Sequence, residues 1–559
     1  MNVGAYIKPY RFTFVLVFLM GVISTIITAA QPLMGKFLID EVLIEKRYSF
    51  PVVLSICVLI MMIGFGVALL TKFLYLRMSL RLMVDMRSAF YNHLLHLPFS
   101  FFTKNRTGDI LSRINEDLTE IQRLYTENVL QLFTISLTFL LNILLLFMLD
   151  WRLTFLSFLF MPLLIFGIHK FRHLIFTNQM ELRRQSAKNQ SFMYETFSSV
   201  GFIRTSHLES TLQETFKKEL KEINRQNIKV IFIQAWAQGI PQMLIMISAI
   251  LMLWFLGSRV INGTMTIGTM LAFITYQASL YGTVQGLAQL YIRLQKGKAS
   301  IYRVNDFFNI PQEEDGESLT PPSFQAIHFR DVSFAFENSR PIVDGFNISI
   351  RKGEKLGLVG ENGIGKSTIA QLLARIYQPA SGAIYMDDKD VQSFSKKSWY
   401  ETVCLVAHNH PVWFGTVREF LQLGKKGLSE IEMLNVLEIV GLNNWLQSLP
   451  QRLQTVIGEK GITLSAGQKQ RLLLARALLN DADIFILDEA TCHLDVESEY
   501  HLFRTLKEYF AQKTVIVITH RYDNLDWMDR VINLSGGEEQ YSQKKAGGMT
   551  NDNVSILHG

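Results

Sequence analysis

The stretch Gly360-Glu361-Asn362-Gly363-Ile364-Gly365-Lys366-Ser367-Thr368 follows a strand-like run, Lys355 to Val359, and precedes a helical one, Ile369 to Ile376. In a strand-loop-helix setting these nine residues read as a phosphate-binding loop. Its glycines let the backbone wrap a β-phosphate, and the amides at the start of the following helix face the anion. Lys366 neutralises phosphate charge, and Ser367 offers a hydroxyl to magnesium. All nine residues are therefore expected to bind nucleotide.

Further along, Ile484-Phe485-Ile486-Leu487-Asp488-Glu489 has the pattern of a buried strand ending in two acids. Alone, such an ending is usually a solvated turn. Beside a phosphate-binding loop, Asp488 reads as a magnesium partner and Glu489 as the carboxylate that polarises an attacking water. Around these motifs short β-like runs alternate with helical ones, as in an α/β domain. Upstream, Pro311, Gln312, Glu313, Glu314, Asp315, Gly316 and then Pro321-Pro322 form a polar, turn-rich linker.

The first half of the chain is chemically different. Of 559 residues, 49% are hydrophobic and only 19% charged, and the mean hydropathy is +0.19. Nearly all the long apolar runs lie before residue 295, which excludes a wholly soluble protein. Six runs approach the roughly 20 residues that a membrane-spanning helix needs: Phe12 to Ala30, Phe50 to Leu70, Val129 to Leu149, Leu153 to Ile168, Val230 to Leu256 and Met265 to Leu290. No small-residue cleavage pattern follows the first, which continues through Pro32 to the apolar stretch Phe37 to Ile44, so it is expected to be retained. The net charge of +6 does not mark a nucleic-acid binder, because the basic residues sit in particular loops. Cys57, Cys404 and Cys492 have no metal-ligand spacing.

Loop charge orients these spans. Lys72, Arg77, Arg81, Arg87, Lys104, Arg106, Arg113 and Arg123 lie between the second and third, and eleven further basic residues, Lys170 to Lys229, between the fourth and fifth. The short alternate loops hold only Lys46, Arg47, Arg152 and Arg259. The positive-inside rule then puts both termini in the cytoplasm. The two basic loops keep helical apolar spacing, so the spanning helices are expected to continue into the cytosol. Each should turn at a break, the first at Leu97-Pro98-Phe99-Ser100-Phe101-Phe102 before Thr107-Gly108-Asp109, the second at Ser198-Ser199-Val200-Gly201-Phe202-Ile203-Arg204.

Between the phosphate loop and the two acids stands Leu464-Ser465-Ala466-Gly467-Gln468-Lys469-Gln470-Arg471. Here the sequence resembles the ATP-binding-cassette family. The resemblance implies ATP and Mg2+ as ligands and nucleotide domains working as head-to-tail pairs. Ser465 and Gly467, with Gln468 beside them, would then cap the γ-phosphate held by the other chain. Ala466 departs from the usual glycine. By the same resemblance Phe336 stacks on adenine, although it lacks the usual hydroxyl; a core phenylalanine after Phe334 is the alternative. His520 touches the γ-phosphate, and Asp495 belongs to the loop that communicates across the dimer, with Cys492 and His493 replacing small residues. Thr455 to Gly461 resembles a loop of exporters. His408 falls where the family has a glutamine contacting magnesium, with Asn409 and His410 as alternatives for that role.

The resemblance covers essentially the whole chain. It implies an all-α membrane domain of six transmembrane helices with long cytosolic extensions (1–304), a linker (305–322) and an α/β P-loop ATPase domain (323–559). One chain supplies half of a transporter, so a second chain, identical or related, is the expected partner, in the lipid bilayer of a bacterial cytoplasmic membrane. No obvious buried acid or base is expected in the spans, which argues against a proton relay. Gln234, Gln238 and Gln242 share one helical face around Pro241, and Gln277, Tyr281, Gln285 and Gln289 share another. These faces are expected to line a pathway for an amphiphilic cargo, a peptide slightly favoured over a drug or lipid, unless the glutamines join neighbouring helices. No protease-like domain that could process a peptide leader is expected ahead of the spans. An ATP-gated channel or membrane regulator is the alternative to a pump, and retention of Glu489 favours turnover.

Overall fold

The computed structural model describes residues 6–536 apart from 314, 317–323, 337–339, 414, 426, 459–460 and 521–524. The chain forms two compact units, one of residues 1–95 and 106–311, the other of 96–105 and 312–559.

The first unit is helical. Its long elements are α1 (Arg11–Phe37), α2 (Phe50–Leu95), α3 (Val129–Leu149), α4 (Met161–Ser198), α5 (Glu209–Ile261) and α6 (Ile267–Phe308). Helical segments from Thr107 lead into α3, a short helix Trp151–Phe158 precedes α4, and α1 runs on as a π-helix, Leu38–Ile44. Among the described residues four stretches are long and apolar enough to cross a membrane: Lys8–Ile44, Phe50–Leu95, Thr107–Leu149 and Glu209–Ile261. The expected fourth and sixth spans fall outside these four stretches. Trp151–Gly167 is a shorter apolar stretch, and α6 turns polar side chains inward, burying Gln277, Ser300 and Thr269 among its partners. The helix also extends to Phe308, so residues 305–308, expected to be linker, are helical.

Both ends of this unit are tied by polar contacts. At the end with the short connections, Asp40 caps α6: one carboxylate oxygen accepts from the Gly268 amide at 2.9 Å and the other from the Thr266 hydroxyl at 2.6 Å. Asp40 is only 6% exposed. It was hidden in the sequence because it closes an apolar stretch and its partner is more than two hundred residues away. A Cβ on Gly268 would lie 2.7 Å from Asp40 Oδ1 and from the Lys36 carbonyl, so glycine permits this approach. Arg259 pairs with Asp150, which also caps the helix Trp151–Phe158. At the opposite end Arg303 pairs with Asp117, Lys296 with Glu120 at 2.6 Å, and Arg293 with Glu127 at 3.5 Å.

The second unit is α/β. Strands β1 (Ala326–Phe334), β2 (Val343–Arg351) and β4 (Ser381–Met386) form an antiparallel sheet in the order β2-β1-β4. Strands β3 (Lys355–Val359), β5 (Val403–Ala407), β6 (Ile484–Asp488), β7 (Thr514–Ile518) and β8 (Arg530–Asn533) form a sheet ordered β8-β3-β7-β6-β5, with every pair parallel. Parallel strands are covered on both faces and read as continuous apolar runs; β6 and β7 are accordingly buried at every residue. The helices used below are α7 (Lys366–Leu373), α8 (Ala466–Leu479) and α9 (Val496–Tyr509).

The Leu97-Pro98 break is a turn, and the short helix Phe99–Lys104 that follows it belongs to this second unit. The Phe99 ring meets Tyr377 edge-on at 5.5 Å, Thr103 and Tyr377 share a hydrogen bond, and the Glu313 amide donates to the His96 carbonyl at 2.9 Å. The second expected break is a turn at Ser199, followed by the helix Val200–Thr205 with Phe202 exposed.

Candidate functional site, an ATPase centre at the strand ends

Parallel register assembles the centre. Ile518 and Ala407 both align with Asp488, and Ile518 also aligns with Leu358. The residues that follow these strands, Gly360, His408, Glu489 and His520, therefore emerge together at the carboxyl edge of the sheet, where open α/β sheets bind ligands.

Gly360, Gly363 and Gly365 have φ values of +147°, +85° and +104°, conformations that side-chain-bearing residues rarely adopt. The loop they allow curls over Lys366, whose Nζ donates to the carbonyls of Gly360 and Glu361, each at 2.8 Å. Lys366 is 5% exposed. Burial lowers its pKa, and the negative charges of Glu489 and Asp488 oppose that shift. Ser367 Oγ donates to Asp488 Oδ1 at 3.0 Å, joining the phosphate loop to the end of β6. Burial raises the pKa of Asp488, against the hydrogen bond from Ser367. Thr368 is buried in the first turn of α7, and Glu361 and Asn362 are exposed on the loop.

Glu489 lies between two histidines. His520 Nε2 is 2.8 Å from Oε1, and His408 Nδ1 is 4.0 Å from Oε2. The His408 amide donates to the Asp488 carbonyl at 3.1 Å, holding the residue against β6. Burial lowers the pKa of His410, and Arg476, His408 and Lys469 act in the same direction.

The remaining site residues occupy defined positions. Ser465 is the exposed N-cap of α8; its hydroxyl accepts from the Gln468 amide at 3.2 Å, while Gln468 Oε1 accepts from the Ser465 amide at 3.0 Å. This capping box leaves a helix N-terminus with a hydroxyl facing solvent. A Cβ on Gly467 would lie 3.1 Å from Leu494. Asp495 caps α9, accepting from the Ser498 amide at 3.0 Å; hydrogen bonds from the Ser498 side chain and then its amide lower the pKa of Asp495. Phe336 is 39% exposed, whereas Phe334 is the buried ring. Phe336 also meets Tyr377 edge-on at 5.5 Å, so Tyr377 touches both Phe336 and Phe99. Of the loop resembling that of exporters, Glu459 and Lys460 lie outside the described residues, as do Glu314, Pro321 and Pro322 of the linker.

Two contributors had no role in the sequence reading. Tyr377 is one. The other is Gln470, 2% exposed, whose Nε2 contacts His493 Nδ1 at 3.0 Å, Cys492 Sγ at 3.1 Å and the Glu489 carbonyl at 3.4 Å, while its Oε1 accepts from the His493 amide at 3.0 Å. Helix α8 is thereby tied to the turn after Glu489. A buried amide that satisfies several backbone and side-chain groups is detectable only once its neighbours are known.

In the membrane unit the glutamine faces divide. Gln277 and Tyr281 are each 1% exposed. Gln277 donates to Ser248 Oγ at 2.9 Å and to Tyr281 OH at 3.2 Å, and Tyr281 OH donates to the Ser157 carbonyl at 2.9 Å. These two residues join three helical elements and are buried among them. Gln238, Gln242 and Gln289 are exposed on the chain, and Gln234 and Gln285 half-buried.

Membrane-spanning helices joined to a P-loop ATPase domain define the class, a multi-pass membrane protein that couples nucleotide hydrolysis to transport. The ABC transporter transmembrane region matches residues 14–284 and the ABC transporter domain residues 343–492. The ATP-dependent lipid A-core flippase of Syntrophus aciditrophicus (strain SB) is 28% identical over 95% of this chain and 89% of its own. The leukotoxin translocation ATP-binding protein LktB of Mannheimia glucosida is 28% identical over 100% of this chain and 79% of its own. The solved structure of a bacterial Atm1-family ABC exporter with ATP bound has the same fold, with a TM-score of 0.79 at 20% identity, covering 97% of this chain and 95% of that one. The chain belongs to the ABC transporter family, as an exporter half with one membrane domain and one ATPase domain.

Proposed function

We propose that this exporter half works with a second copy or a related chain, by alternating access, to move an amphiphilic cargo out of a bacterial cytoplasm, with both of its termini on the cytoplasmic side. The carrying observation is the strand-end group in which Ser367 bonds Asp488 and Glu489 stands between His408 and His520. Lys366 binds the ATP phosphates. Glu489 orients the attacking water, and His520 holds that carboxylate while reaching the γ-phosphate. A serine hydroxyl and a buried carboxylate already within hydrogen-bond reach suit a hard cation. Ser367, Asp488 and His408 would hold Mg2+, which would neutralise charge on the transferring phosphoryl group. Phe336 presents its open side to adenine. The N-terminus of α8, with Ser465 and Gly467, offers the partner's γ-phosphate a second anion site, and Asp495 reports across the interface.

For the cargo, Gln234, Gln238 and Gln242 on α5 and Gln285 and Gln289 on α6 offer uncharged hydrogen bonds along the pathway. Relatives named for lipid A-core and for a leukotoxin support an amphiphile without choosing between lipid and polypeptide. Inside-out vesicles containing the chain should accumulate labelled amphiphilic peptide or lipid only with hydrolysable ATP. Cargo equilibrating without ATP hydrolysis would leave a gate in place of a pump.

A further inference from the structure

On the reading of the strand-end group as an ATP site capped by the α8 of a second chain, we propose that Gln470 is a positioning residue for Glu489. Through it, the nucleotide capped by this chain's α8 sets the turnover at this chain's own site. Gln470 lies one turn into α8 from the N-cap Ser465 and is 2% exposed. Its carboxamide nitrogen only donates, so the Glu489 carbonyl at 3.4 Å, Cys492 Sγ at 3.1 Å and His493 Nδ1 at 3.0 Å all accept from it. Its oxygen accepts in return from the His493 amide at 3.0 Å. In the first turn of α8, a Cβ on Gly467 would stand 3.1 Å from the Leu494 side chain. The start of α8 therefore lies directly on the turn that follows Glu489. His493 supplies a ring acceptor that the small residue usual there lacks.

The Glu489 backbone is gripped from both sides. Its amide donates to the Ile518 carbonyl at 3.0 Å, and its carbonyl accepts from the Cys492 amide at 3.2 Å as well as from Gln470. Its φ of +50° persists only because these neighbours impose it. The Thr491 hydroxyl donates to Oε1 of the buried Glu499 at 2.6 Å, which pins the far side of the turn to α9. On the α8 side the position depends on a second chain, because a phosphate at the helix N-terminus attracts the helix along its axis. A buried amide cannot let α8 shift alone without leaving donors and acceptors unsatisfied. It passes the displacement to the Glu489 carbonyl and so to the carboxylate. Turnover at one site then depends on occupancy of the other, a coupling carried by a named side chain.

The test uses the full chain in lipid nanodiscs with Mg2+ and ATP, comparing the parent with Gln470→Leu and Gln470→Glu. Leucine fills the buried space without polar atoms, and glutamate keeps the oxygen facing the His493 amide but loses the donor; either variant suffices should the other fail to fold. The parent should hydrolyse ATP with a Hill coefficient of about 1.5 or more, against a ceiling of about 2 for two sites. In the variants it should fall to about 1, with kcat lowered about fivefold or more and fluorescent-nucleotide binding unchanged within about twofold. A residue that merely supports the fold would lower kcat and the thermal midpoint at the parental Hill coefficient, and that result would overturn the proposal. So would non-cooperative hydrolysis by the parent. Mixed dimers give a second readout, because a chain paired with a Lys366→Ala chain has its α8 facing an empty site. The parent's rate per intact site should then fall about fivefold below that of its homodimer, while Gln470→Leu should keep its homodimer rate per site. An equal loss in both would overturn the coupling. A parent that binds no ATP would overturn the ATP-site reading itself.

Discussion

Glu489 combines a left-handed backbone, φ +50°, with the contacts of its carboxylate to His520 and His408. For a residue bearing a side chain that conformation costs roughly 1–2 kcal/mol. The parallel register that aligns Asp488 with Ile518, and the Glu489 amide donating to the Ile518 carbonyl at 3.0 Å, hold it there. Strain maintained at one position between two carboxyl-edge strands fits a functional residue. Glu489→Gln keeps shape and hydrogen bonding but removes the charge that orients water. ATP binding should persist in filter or fluorescence assays while hydrolysis falls about a hundredfold or more. Lys366→Ala should instead weaken nucleotide binding itself, since it deletes phosphate neutralisation in the ground state. Near-normal turnover by the glutamine variant would remove Glu489 from the catalytic role.

At the scale of elements, the glutamine faces show that helical spacing alone does not tell which residue of a stripe is buried. Gln277 and Gln285 share one stripe of α6, yet Gln277 is buried against Ser248 of α5 while Gln285 is half-buried. Hydrogen bonds between helices in lipid are worth about 1 kcal/mol each. Gln277→Leu should therefore lower the thermal midpoint of the detergent-solubilised protein by a loss of that order, without altering which compounds stimulate its ATPase. Gln238→Ala should do the reverse, changing the stimulation profile at unchanged stability. Equal behaviour of the two variants in both assays would end the distinction. The short helix Phe99–Lys104 makes a related point: the proline break announced it, but its contact with Tyr377 depends on a side chain far along the chain.

For the whole molecule, the proposal that α8 of one chain completes the site of another predicts complementation. Lys366→Ala chains retain an intact Ser465 and Gly467, while Ser465→Arg chains retain an intact phosphate loop. Each variant alone should be inactive. Mixed dimers, purified through two tags after co-expression, should regain part of the parental ATPase because one of their two composite sites is intact. No recovery in verified mixed dimers would argue against a site shared between chains.

The phosphate loop, the two acids closing β6, the cap of α8 and the apolar runs were legible in the sequence because each is a local property: a backbone conformation, a strand ending, a helix start or a length of apolar chain. Even the departure at His408 was visible as a residue type. Tertiary structure alone put the His408 ring beside Glu489, since that depends on which atoms the β5 and β6 register brings together. It also decided that Asp40 caps α6 across more than two hundred residues, that Gln470 ties α8 to the turn after Glu489, and that Gln277 and Tyr281 are buried. Burial and pairing of a polar group depend on the partner opposite, and sequence spacing along one element does not name that partner.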